Sequence, residues 1–232
     1  MQILPVPESL LLFHGIFKMI CAGLASILFW QLFKKYKKRP TRIATGFLYV
    51  FIFLILGNVF SAFDNLFGWD NLLGPQTWLG YGIGQIFSAL GNGMYLWLYI
   101  EIFRVKDRWT GKQRIGFSIF MIAEVFLAII FMTHYLLGVP PDIFLYSALF
   151  MGLTAIIYIS WILGSLKLYK TVEDKRFRQK FLDLLIMAIL FFFVIVFLVI
   201  AGLSEVPSFA SWFGLVLMLI GMRFAYLGII QE

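Results

Sequence analysis

Apolar residues gather along this chain into seven long runs separated by short polar breaks. Reading from run to break predicts helices at 10–33, 43–67, 77–103, 115–138, 143–169, 181–203 and 208–230. Each run is about 20 residues or longer, enough at about 1.5 Å per residue to cross roughly 30 Å of hydrocarbon. In lipid every backbone N–H and C=O has to find its partner within a helix or a closed barrel. Runs this long exceed the roughly ten residues of a barrel strand, so they are read as helices. All seven prolines (Pro5, Pro7, Pro40, Pro75, Pro140, Pro141 and Pro207) fall at the N-terminus or in the breaks, where a missing backbone donor does least harm.

Composition narrows the class. The chain is 62% hydrophobic and only 13% charged, with a mean hydropathy of +0.92, more apolar than a water-soluble core can absorb. The expected fold is therefore all-α: a polytopic integral membrane protein, one seven-transmembrane-helix bundle over residues 1–232. The breaks of at most about a dozen residues leave no room for a separate soluble domain.

Charge sets the expected orientation. The breaks KKYKKRPTR, RVKDRWTGKQR and KTVEDKRFRQK are strongly basic, whereas GWDNLLGPQ, VPPD and SEVPS hold no Lys or Arg. Basic loops stay in the cytoplasm, which places the N-terminus outside, the C-terminus inside and the protein, multi-pass, in a cell membrane. No basic segment precedes the first run, so that run is expected to be a retained first helix and not a cleaved signal. The net charge of +7 comes from the basic loops. Orientation and anionic lipid headgroups account for it, so no nucleic-acid partner is expected. The single cysteine, Cys21, allows no internal disulfide and reads as a small packing residue.

Ionisable groups inside the runs are where function should show, because each costs roughly 2.5–3.5 kcal/mol at a helix centre unless paired or hydrated. Lys18, about 12 Å below the outer end of the first helix, is expected to pair with Asp64 on the second, with His14 one turn above it. Glu124 on the fourth helix and Arg223 on the seventh share a depth and form a second expected pair. Glu101 and Asp183 lie within about a turn of the cytoplasmic boundary, where a carboxylate is ordinary.

Gly57, Asn58, Ser61, Asp64 and Asn65 fall on one stripe of the second helix, and Tyr81, Gly84, Gln85, Ser88, Gly91, Asn92, Tyr95 and Tyr99 on one of the third. Packing with interhelical hydrogen bonds explains these stripes. So does an outward-facing polar pocket binding a small molecule or lipid, with Lys18, Asp64, Asn65, Gln85, Asn92 and His134 as ligand-binding residues. The sixth helix carries no polar side chain from Leu184 to Ala201 and is expected to face lipid or a partner helix over much of its circumference. Trp30, Trp69, Trp78, Trp109, Trp161 and Trp212 sit near span ends, as interfacial anchors would.

Several chemistries fit poorly. His14 and His134 are the two histidines, too few for a three-ligand zinc site and badly placed for a bis-histidine haem. The glycines of YGIGQ lie within an apolar helix and no GxSxG turn exists. No catalytic residue, metal or cofactor is assigned, and the chain is not expected to be an enzyme. The topology resembles seven-helix sensing modules and receptor bundles, although the last run has no lysine for a retinal Schiff base. The expectation is a receptor-like or sensor-like protein signalling through a separate membrane or cytoplasmic partner. A transporter or channel with Glu124 and Arg223 as an inner gate, or a structural subunit of a membrane complex, is the alternative.

Overall fold

A computed structural model describes residues 8–38, 40–67, 79–104, 109–136, 143–203 and 207–230. Among the described residues every regular element is helical: α1 (Glu8–Lys38), α2 (Arg42–Phe67), α3 (Leu79–Phe103), α4 (Gly111–Leu136), α5 (Ile143–Thr171), α6 (Lys175–Leu203) and α7 (Pro207–Ala225), followed by a π-helical turn (Tyr226–Ile230). Six are long and apolar enough to cross a membrane, and the apolar stretch of the last, Val216–Ile229, is shorter. That pattern is the mark of a multi-pass helical membrane protein.

The helices overrun their apolar runs at the basic ends. α1 continues from Phe33 to Lys38 because Lys is a good helix former once the chain has left hydrocarbon. Elsewhere a cap decides the start. Thr110 and Gln113 bond reciprocally, the Thr110 N–H donating to Gln113 Oε1 at 2.8 Å and the Gln113 N–H to Thr110 Oγ1 at 3.3 Å, so α4 begins at Gly111 and not at Ile115. Asp174 accepts from the Arg176 N–H at 2.8 Å and starts α6 six residues before Phe181. Thr41 caps α2 in the same way, accepting from the Ala44 N–H at 3.1 Å.

Consecutive helices pack side by side from α1 to α4 and again from α5 to α7, while α7 and its π-helical turn return to α1. Between α4 and α5 contact is light, and α5 reaches past α4 to α3. The α2–α3 seam is tight because small residues face each other. A Cβ on Gly84 would run into the Ser61 hydroxyl and come within 3.0 Å of the Gly57 carbonyl oxygen. Apolar side chains gain little by leaving lipid for another helix, so close fit of this kind is what holds such a bundle together.

One expectation is narrowed here and another fails. α6 is the best buried of the six spans, with 39% of its apolar window enclosed against 11% for α4. Met187, Ala188 and Phe191 pack into the core. The larger share of that window stays outside the core, so the apolar run keeps its lipid- or helix-facing surface while one face turns inward. Trp161 is likewise no interfacial anchor: it is 0% exposed, donates its indole N–H to the Tyr95 carbonyl at 3.0 Å, and meets Phe103 edge-on at 5.3 Å.

Candidate functional site

Three helices meet at one polar point near mid-span. α3 supplies Asn92, α4 Glu124 and α5 Thr154, each roughly 16–18 Å from the nearer end of its helix at about 1.5 Å per residue. All three are buried, Glu124 completely. Asn92 is the hub. Its Nδ2 donates to Thr154 Oγ1 at 2.7 Å and lies 3.5 and 3.4 Å from the two carboxylate oxygens of Glu124. The Thr154 hydroxyl donates in turn to the Phe150 carbonyl one turn back, at 2.9 Å.

The contrast in those distances matters. An ordinary N–H···O bond is about 2.9–3.0 Å, so the Asn92–Thr154 bond is strong and the Asn92–Glu124 contacts are weak. A carboxylate has four acceptor positions. Here it receives long bonds from the Asn92 amide with the Thr154 hydroxyl beside it, and among the described residues no cationic side chain forms an ion pair with it. Tyr158, one turn along α5 from Thr154, lies within electrostatic range of Glu124. Its ring meets Tyr95 at 5.9 Å and Phe191 at 5.7 Å. Beyond Tyr95 the aromatic group of Trp161 and Phe103 closes the interior.

Of the residues singled out in the sequence, the structure brings Asn92 and Glu124 together but separates Glu124 from Arg223. Arg223 is exposed on α7, and α7 packs on α6 and α1, whereas α4 packs on α3 and α5. Glu124 lies at the middle of α4 and Arg223 in the last turn of α7, on helices that do not pack together, so the expected pair does not form. Lys18 is half-buried on α1, with Cys21 in its electrostatic surroundings. Gln85 is half-buried on α3. The side chains of His14, Asp64, Asn65 and His134 lie outside the described residues, and with them the Lys18–Asp64 pair and most of the outward-facing pocket. Gly57, Gly84 and Ser61 serve the tight α2–α3 seam, and Ser88 turns its hydroxyl to the Gly84 carbonyl at 2.9 Å.

Glu101 accepts the Trp109 indole N–H at 2.6 Å, and Asp183 accepts from Gln179 Nε2 at 3.1 Å. Both carboxylates are tied to their own loop or helix. Thr154 and Tyr158 are the residues that sequence reasoning passed over. A lone Thr or Tyr in an apolar run is compatible with packing, and only convergence with α3 and α4 gives either a polar role. Among the described residues no three His, Cys, Asp or Glu side chains converge as a metal site. Comparison with family models, with curated proteins and with solved structures finds no match to this chain.

Proposed function

We propose that this chain is a receptor-like or sensor-like bundle of seven spans, N-terminus outside and C-terminus cytoplasmic, that binds a small molecule or lipid within the membrane and signals through a separate protein partner at its basic loops. The observation that carries the reading is Glu124: a wholly buried carboxylate at mid-span, held by weak bonds and, among the described residues, without a cation. A charged group in that position is costly unless something compensates it. Intramembrane ionisable groups that the fold itself leaves uncompensated are function-bearing by default. The binding centre moves from the outward-facing pocket expected from the sequence to Asn92, Glu124 and Thr154, with Gln85 and Lys18 nearer the outer ends of their helices. The reading assigns no catalytic residue.

Native mass spectrometry tests it. Protein purified gently with its lipids should carry a bound species that survives in the wild type and is lost from Glu124→Gln, which keeps the shape but not the charge. Identical spectra for the two proteins would remove the reading. Glu124 also favours a transporter or channel, in which it would sit on the permeation path. Solute or ion flux into proteoliposomes, abolished by the same substitution, is the result that would select this second reading.

A further inference from the structure

Between α4 and α5 the light contact opens a lateral groove of about 520 Å³, within the roughly 300–1,000 Å³ of small-molecule sites. Ala123, Phe126 and Leu127 line it from α4, and Gly152, Leu153 and Ile156 from α5. The groove occupies the same helical turns as the polar cluster. Glu124 lies between Ala123 and Leu127, and Thr154 follows Leu153. A Cβ on Gly152 would meet nothing within 4 Å, so the α5 wall of the groove is open on its outer side.

An apolar body gains little in such a groove that it does not already have in lipid. Selection has to come from a polar term, and the one at hand is a buried carboxylate that no cation among the described residues pairs with. A ligand ammonium would supply a charge-assisted hydrogen bond. An alcohol of the same chain could offer only a weaker one, and a fatty acid would set like charges together. A bound metal ion fits poorly, because it needs about six oxygen ligands and unbroken helices keep their carbonyls to themselves.

We propose that the α4–α5 groove admits an amphiphilic amine from the bilayer, its apolar body between the helices and its ammonium on the Glu124 carboxylate. The proposal rests on Glu124 as the ligand site and adds the ligand class and a lateral route. Asn92 and Thr154 hold the carboxylate by hydrogen bonds, and Leu127 and Leu153, which line the groove, are the side chains that the ammonium has to pass.

The test uses dodecylamine carrying a terminal photoreactive diazirine and the matching dodecanol probe, with the full chain in phosphatidylcholine vesicles and adducts mapped by peptide mass spectrometry. The amine should label the groove segments of α4 and α5 about tenfold more than the alcohol, the size of one charge-assisted bond. That preference should vanish in Glu124→Gln. Gly152→Leu, which leaves Glu124 untouched and fills open space, should abolish groove labelling by both probes. Equal labelling by amine and alcohol in the wild type, or full amine labelling in Gly152→Leu, overturns the proposal. If a Glu124-dependent species still appears in native spectra, the ligand site stands and only the amine and its lateral route fall. Absence of both results removes the site as well.

Discussion

Asn92 uses one amide group to serve two helices. Its Nδ2 makes the short bond to Thr154 and the long contacts to Glu124, so removing the amide leaves both partners worse satisfied. Asn92→Ala is expected to cost about 1–3 kcal/mol, the usual penalty for orphaning buried polar groups. Thr154→Val should cost less, because the carboxylate keeps its amide neighbour. Reversible unfolding in mixed micelles measures both, and an Asn92→Ala protein as stable as the wild type would show that the cluster does not hold the three helices together. The residues of this cluster were unequally visible in the sequence. Glu124 stands out in an apolar run because its charge is costly there, and Asn92 sits on the polar stripe of its helix. Thr154 and Tyr158 carry no such signal.

At the scale of elements, helix existence and helix contact have different causes. The apolar runs account for the helices, and the Thr110–Gln113, Asp174 and Thr41 caps for where three of them begin. How closely two helices approach is set by what stands between them, and on the α2–α3 seam that is almost nothing. Gly84→Leu would drive a side chain into Ser61 and the Gly57 backbone, and rigid backbone cannot give way as a flexible side chain can. The expected loss is about 1–3 kcal/mol or more, as for other overpacked interiors. Gly116→Leu, at a position where a Cβ meets nothing within 4 Å, should be neutral or slightly stabilising, since Gly is a poor helix former. Thermal unfolding of the two variants checks the contrast. Similar losses at both positions would mean that the seam is looser than described.

For the molecule as a whole, orientation follows from charge and can be tested without any ligand. Cys21 is wholly buried, so the unmodified chain should be silent toward a membrane-impermeant maleimide. A cysteine replacing Asn71, in the Lys- and Arg-free break before α3, should label in intact cells. Lys112→Cys, at the exposed basic start of α4, should label only after permeabilisation. The reverse pattern would invert the proposed topology and move the basic loops outside. Either pattern leaves the depth of Glu124 unchanged, because mid-span is mid-span from both sides.

The sequence alone determined that the chain is helical and crosses membranes repeatedly, because backbone satisfaction in lipid and the length of an apolar run are local properties. It also located Glu124 as a costly charge, whereas the caps that start α4 and α6 before their apolar runs went unread. Azimuth was beyond it. Glu124 and Arg223 read as matched in depth, yet α4 and α7 do not pack together and Arg223 sits in the last turn of α7. α6 reads as apolar all round yet turns one face, Met187, Ala188 and Phe191, into the core, and Trp161 reads as an anchor but is buried. In water, an apolar stripe tells which face of a helix turns inward. In a membrane both faces are apolar, so the choice among interior, neighbour and lipid is left to the fit between helices, which only the tertiary structure decides.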